Sequence, residues 1–306
     1  MRIFTLAFCI ASLLAIPVHA ADKNKQANKK KIEKPLSISV YAAGDIAECK
    51  KKPAEESIAA RTAELIAAGL DKDSTARAIT LGDNTYPIGS PEEFSRCYEP
   101  TWGRFKDKTL PSPGNHEYGM PKALGYYNYF GEVAGPDRRG YYATRLGKWL
   151  VLSLNSNLDE VQMQVQLSWL KEELAGNKHN CTLAFWHHPA FSSGGHGNNK
   201  NMQDVWKILS AAKADIVLAA HDHNYERFVP LDANGDRDDK NGIRSFIVGT
   251  GGAKLTPMFL AKNTTEIRDN STHGVLKLTL NEKSYEWEFI PIPGQSFSDK
   301  GKAACH

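Results

Sequence analysis

The chain has 306 residues, 41% hydrophobic and 24% charged, with a net charge of +3. That length can bury one large α/β core or two smaller ones, and the composition excludes a fibrous or wholly disordered protein. Six lysines between Asp22 and Pro35 give that stretch a local charge of +4, so the remainder is near neutral and implies no surface for nucleic acid.

The N-terminus places Arg2 before an apolar run from Ile3 to Ile16, then Pro17-Val18-His19-Ala20. This predicts a signal peptide over 1–20 with cleavage near Ala20; the run is too short for a comfortable membrane span, and no other window is apolar enough. Residues 21–35 read as a basic disordered leader and 36–306 as the folded domain of a secreted or periplasmic protein. Cys49, Cys97, Cys181 and Cys305 remain after cleavage, an even number that suggests two disulfides. Of the three pairings, Cys49–Cys97 with Cys181–Cys305 is favoured, because the first two each follow a candidate metal loop.

Leu36 to Ala43 has strand chemistry and delivers Gly44-Asp45. Glu55 to Leu70 has apolar residues at helical spacing, Ile79 to Leu81 is the next strand, and Gly82-Asp83-Asn84-Thr85-Tyr86 follows it. The spacing allows a helix over Pro91–Lys106, whose aromatics suit a core. Thr109 to Pro113 leads to Gly114-Asn115-His116-Glu117. Residues 140–146 and 149–155 predict a hairpin. Glu160 to Leu174 predicts an amphipathic helix, with Val161, Val165, Leu167, Trp169, Leu170 and Leu174 as its apolar side. Cys181 to Trp186 predicts a buried strand delivering His187-His188. The glycine- and asparagine-rich stretch 192–201 predicts a long mobile loop and contains His196. A helix over 202–213 and a strand over 215–220 lead to His221-Asp222-His223, and strands over 243–248, 274–280 and 283–290 close the chain. The alternation predicts an α/β layered fold with hairpins added, and sites in such sheets gather beyond the carboxyl ends of strands.

Each motif alone has a plainer reading, as a turn aspartate or an exposed histidine. Together, two aspartates, an asparagine, a tyrosine and three histidines fall at strand ends of one chain. Imidazole suits zinc and iron, carboxylate and amide oxygens suit harder cations, and phenolate suits a ferric ion. The mixture points to a dinuclear transition-metal centre with Asp83 as the bridge. Two ions about 3.5–4 Å apart can clamp an in-line phosphoryl displacement and acidify a bound water. His188 is left out of the donor set, since its neighbour His187 faces the opposite way along a strand. The alternating acids at Asp232, Asn234, Asp236 and Asp238 resemble a calcium loop, but Arg237 and Ile243 stand where glycine and glutamate are needed, so an acidic turn is expected.

With these residues laid out, the sequence resembles the calcineurin-like metallophosphoesterases and, more narrowly, the purple acid phosphatases. The shared signature is GD, GDxxY, GNH[DE], a histidine before x-Pro, and GHxH, here with Ala220 in place of the last motif's glycine. The resemblance implies an α/β/β/α sandwich of mixed sheets with flanking helices. It implies that Asp45, Asp83, Tyr86 and His223 hold one ion, normally ferric, and that Asp83, Asn115, His187 and His221 hold a divalent iron, zinc or manganese ion; two divalent ions are the other pairing. His116 would bind the phosphate or protonate the leaving group, with His196 a candidate second acid. The activity implied is hydrolysis of phosphomonoesters in small phosphorylated substrates by a metal-bound hydroxide. A phosphodiesterase or nucleotide pyrophosphate hydrolase on the same centre is the alternative, and a catalytically silent phosphate- or metal-binding protein a third.

Overall fold

Short apolar runs rich in Val, Ile, Leu and Phe form the strands, and in the computed structural model these are β1 (Ile38–Ala43), β2 (Arg77–Leu81), β3 (Thr109–Ser112), β4 (Tyr142–Leu146), β5 (Trp149–Ser153), β6 (Cys181–Phe185), β7 (Ile216–Ala219), β8 (Tyr225–Phe228), β9 (Arg244–Val248), β10 (Thr265–Asp269), β11 (Gly274–Leu280), β12 (Ser284–Pro291) and β13 (Lys300–Ala304). Apart from Met1, the described residues are 37–306 except 51, 177, 178 and 259, so the expected signal peptide and leader lie outside them. Residues Pro35–His306 fall in one compact unit.

One sheet has the order β13-β12-β11-β1-β2-β3, the other β10-β8-β9-β7-β6-β5-β4. β1, β2 and β3 run parallel, as do β5, β6, β7 and β9, while the outer strands pair antiparallel. The expected α/β/β/α layering is therefore present. Side-chain alternation explains it. Cys181, Leu183 and Phe185 of β6, Ile216 and Leu218 of β7 and Phe246 and Val248 of β9 join Val40, Ala42, Leu276 and Leu278 in one core between the sheets. The alternate residues Ala184, Val217 and Ile247 face the other way, onto the helices Glu160–Gly176 and Gln203–Ala211. On the first sheet Tyr41 packs against Gly69 of the helix Ile58–Lys72, whose N-cap Ser57 accepts from the Ala60 N–H at 3.1 Å. Strands buried on both faces read as unbroken apolar runs, which is how they appear in the sequence.

The disulfides Cys49–Cys97 and Cys181–Cys305 are the favoured pairing. Several expected elements need correction. The span 91–106 is broken: a capped turn at Pro91–Glu93 and a π-helical turn at Phe94–Tyr98 precede a separate 3₁₀ segment, Trp102–Lys108. Val161 and Val165 are exposed, and the buried side of their helix is Met163, Gln166, Leu167 and Leu170. Gln166 sits inward because its side chain accepts from the Asn155 N–H at 2.8 Å and donates to the Asn155 carbonyl at 3.1 Å. Strands β8, β10 and β13 were not expected. The acidic stretch at Asp232 is a turn, its carboxylate accepting from the N–H groups of Asn234 and Asp236.

Candidate metal centre

All five motifs lie at the carboxyl ends of parallel strands: β1 delivers Asp45, β2 Asp83, β3 Asn115, β6 His187 and β7 His221. The two aspartate loops are zipped together. Asp45, Ile46 and Ala47 donate their N–H groups to the carbonyls of Gly82, Asp83 and Asn84 at 2.9–3.1 Å. Asp45, Asp83 and His221 have φ of 57°, 48° and 70°, the left-handed corner where an extended strand turns into the site. Such a conformation costs about 1–2 kcal/mol per residue and persists where its surroundings hold it. Gly114 leaves the room this needs, since a Cβ there would lie 2.1 Å from Asp83 Oδ1.

The polar atoms form two groups that meet at Asp83. In the first, Tyr86 Oη lies 3.0 Å from Asp45 Oδ1, 3.3 Å from Asp83 Oδ2 and 3.3 Å from His223 Nε2. His223 Nε2 is also 3.3 Å from Asp45 Oδ1. In the second, His187 Nε2 lies 3.0 Å from Asn115 Oδ1, 3.2 Å from His221 Nδ1 and 3.3 Å from Asp83 Oδ2.

The far nitrogens reveal which atoms carry lone pairs. His187 Nδ1–H donates to the Leu81 carbonyl at 2.8 Å, and His223 Nδ1–H to that of Lys254 at 2.8 Å. In the neutral rings both Nε2 atoms are therefore acceptors aimed at other acceptors, and the single Tyr86 proton cannot serve Asp45, Asp83 and His223 at once. A buried cluster of lone pairs with too few protons is what a cation site requires. The donor set fits the ions implied by the sequence. Without them, protons take the place of the cations. Burial pushes His187 down, but the Asp83 and Asp45 carboxylates reverse this and raise it to about 9. Burial likewise opposes the charge on His223, and Asp45 raises it to about 9. Burial and the same two carboxylates hold the Tyr86 phenol well above its ordinary range.

His116 stands at the rim, its ring 4.4 Å from that of Tyr86 and its Nε2 3.7 Å from Asp83 Oδ2. Its Nδ1–H donates to the Pro87 carbonyl, which turns Nε2 toward the site. The ring of His196 packs on that of His221 at 4.3 Å. The expected mobile loop around His196 is tied down: Asp222 accepts from the His196 N–H at 2.9 Å and from Ser192 Oγ, and Glu226 accepts from the Ser193 N–H at 2.9 Å.

His188, left out of the donor set, lies close to it. Ligating atoms of His187, His188 and His221 lie within 4.8 Å of one another, as do those of Asp45, Asp83 and His187. β6 ends at Phe185, so strand alternation does not govern the doublet, and Ser156 Oγ holds His188 Nδ1 at 2.8 Å. In the sequence Glu117 is only the last letter of the Gly-Asn-His-Glu motif. Its fully buried carboxylate accepts from the N–H groups of Asn84, Thr85 and Gly114 at 2.7–3.3 Å and so fastens two donor loops to each other. Burial, then the Asp83 charge, raises it to about 7. The signal was a glutamate two residues past a candidate ligand. Ala220 fits for a simple reason: its Cβ fills the space a Gly44 side chain would need, 2.5 Å away.

A family model for calcineurin-like phosphoesterases matches residues 38–225, which include every one of these donors. The chain belongs to the calcineurin-like phosphoesterase family. Among curated proteins it is similar to an acid phosphatase of Aspergillus ficuum, 27% identical over 161 residues, covering 45% of this chain and 26% of that protein. It is also similar to purple acid phosphatase 18 of Arabidopsis thaliana, 28% identical over 127 residues, covering 40% of this chain and 29% of that one. The chain thus spans less than a third of the length of these relatives. Among solved structures, a purple acid phosphatase from yellow lupin seeds superposes with a TM-score of 0.69 at 19% identity, covering 89% of this chain and 54% of that one. That likeness speaks for the fold.

Proposed function

We propose that this member of the calcineurin-like phosphoesterase family is a dinuclear metal-dependent phosphatase that hydrolyses phosphomonoesters, exported and disulfide-bonded. The observation that carries the reading is the meeting of two donor groups on Asp83 Oδ2, 3.3 Å from Tyr86 Oη and 3.3 Å from His187 Nε2. Asp45, Tyr86 and His223 would hold one ion and Asn115, His187 and His221 the other, with Asp83 between them. A phenolate ligand calls for a strongly charged ion, so Fe³⁺ is proposed beside Tyr86 and divalent iron, zinc or manganese beside the histidines. Bound there, the ions would neutralise the phosphate and acidify water.

The chain's own residues supply the rest. His116 Nε2, at the rim and steered by Pro87, is placed to bind a phosphate oxygen or hand a proton to the leaving alcohol as the P–O bond breaks and water adds to phosphorus. His196, held by Asp222, is a second candidate for that proton. Two disulfides suit an oxidising compartment. Among the described residues no helix is long and apolar enough to cross a membrane.

The test pairs metal content with activity. The purified mature protein should hydrolyse p-nitrophenyl phosphate, lose that activity on stripping and regain it with iron plus zinc or manganese. A visible tyrosinate-to-iron band that disappears in Tyr86→Phe would fix the ferric ion beside Tyr86, and its absence in an active enzyme would move the assignment to two divalent ions. No restoration by any of these metals would overturn the reading.

A further inference from the structure

A cavity of about 870 Å³ opens beside the loop that follows Asn115 and His116, and none of the donors lines it. That volume lies in the range of small-molecule sites. Its lining includes Tyr118, two residues after His116 and bonded through its N–H to the Asn115 carbonyl at 3.1 Å, and Asn157, next to the Ser156 that holds His188. Asn157 Nδ2 donates to the Pro113 carbonyl at 3.2 Å, and Asn155 Nδ2 donates to Tyr118 Oη at 2.7 Å and to the Arg139 carbonyl at 3.0 Å. The cavity wall and the loop carrying Asn115 and His116 are therefore one hydrogen-bonded piece.

Its lining combines phenol rings with cations. Tyr127 and Tyr141 line it from buried positions and Tyr118 as a part-exposed ring, while Lys122, Arg138 and Arg139 supply charge. Among the described residues no ion pair neutralises these cations: Arg138 donates to the Asn128 amide oxygen, and Arg139 lies over the Tyr141 ring. Two carboxylates also line the cavity, but Asp159 is occupied as a helix cap, accepting from the Gln162 N–H at 2.8 Å. Three of the lining residues, Lys122, Asp137 and Arg138, hold left-handed backbone at φ of 54–55°, a conformation that tends to be kept where a ligand is met. Exposed Val165 extends the wall from the helix Glu160–Gly176.

We infer that this cavity is the leaving-group subsite of the centre and that it takes a nucleoside bearing a second phosphate. The base would lie on the part-exposed Tyr118 ring and the second phosphate would meet Lys122 and the arginine pair. The inference rests on the phosphatase reading above.

The experiment compares kcat/KM for adenosine 3′,5′-bisphosphate with that for p-nitrophenyl phosphate, in the metal-loaded wild type and in Lys122→Gly and Arg138→Gly. Glycine removes the charge at positions whose left-handed backbone it accepts freely, so these exposed substitutions leave folding intact. The bisphosphate should be preferred by at least about tenfold, and each variant should lower the ratio by about 10–100-fold, the worth of a lost bond to a charged group. Hydrolysis of both substrates with no preference, or an equal loss on both in the variants, would overturn the subsite while leaving the phosphatase standing. Failure to hydrolyse either substrate would defeat the phosphatase reading and the subsite with it.

Discussion

The two sheets bring different chemistry to the centre. The β1–β3 ends contribute oxygen donors from Asp45, Asp83, Tyr86 and Asn115, whereas the β6 and β7 ends contribute the nitrogens of His187, His221 and His223. They are also held differently. The aspartates accept backbone N–H groups, His221 donating to Asp45 Oδ2 at 3.0 Å and His116 to Asp83 Oδ1 at 2.9 Å. His187 and His223 instead give away their far proton, and His187 gives it to Leu81, a carbonyl of the opposite sheet. Neither sheet can therefore orient its donors alone. Docking the sandwich is what builds the site, and stability and metal binding should fall together.

Four predictions test that coupling, beginning with the strongest. His187→Ala and His223→Ala each remove a nitrogen from one donor group. Either should lower phosphatase activity on the order of 10³-fold, given that metal stabilisation of a transition state is worth several kcal/mol and each 1.36 kcal/mol is tenfold. Retention of full activity by either would show that its group is dispensable. Next, Cys181–Cys305 ties β6 of one sheet to the residue following β13 of the other, closing a separation of 124 residues against 48 for Cys49–Cys97. The chain-entropy model gives about 2–4 kcal/mol for such a link and more for the longer loop. Denaturant unfolding of the Cys181→Ser/Cys305→Ser double variant should show the larger loss, and an equal loss in Cys49→Ser/Cys97→Ser would argue against the stapling role.

Glu117→Gln keeps the shape but weakens the clamp between two oxygen-bearing loops. Metal affinity should drop about 10–100-fold, as for other groups that orient ligands, with little change if Glu117 merely fills space. The mildest effect concerns pH. In the stripped protein His187 and His223 are raised from 6.5 to about 9, so the stability they confer is fully present below pH 6.5 and is lost as pH rises through 9. His188 and His221, depressed by burial and then by neighbouring imidazoles to about 3 and about 2, stay neutral across that window. Glu117, raised to about 7, loses its contribution in the same direction but earlier. Thermal melts should therefore fall between pH 6.5 and 9 for the stripped protein and stay flatter for the loaded one, whose ions require neutral imidazoles. A stripped protein that gains stability over that window would contradict the account.

The candidate donors could be picked out in the sequence because their motifs follow apolar runs, and a strand buried on both faces announces its end clearly. The fold class followed from the same alternation. What escaped was decided by tertiary context. The nearness of His188 to the donors escaped because the doublet lies beyond the last paired residue of β6, where period-two reasoning no longer applies. Val161 and Val165 have the spacing of a core face, but Gln166 captures the inward direction through Asn155, and Val165 is left as a cavity wall. β13, with the sequence Lys-Gly-Lys-Ala-Ala, has no strand chemistry and is held by its pairing with β12 and the neighbouring Cys305. Glu117 looked like one more charged loop residue, since nothing local tells that its carboxylate is buried beneath three N–H groups.

The most direct test of the shared centre is calorimetric titration of the stripped protein with zinc or manganese, checked by elemental analysis, in the wild type and in Asp83→Asn. If one carboxylate lies between two ions, the wild type should take up two per chain and Asp83→Asn should lose tight binding of both. A wild type that binds a single ion, or an Asp83→Asn variant that keeps two with unchanged affinity, would contradict it.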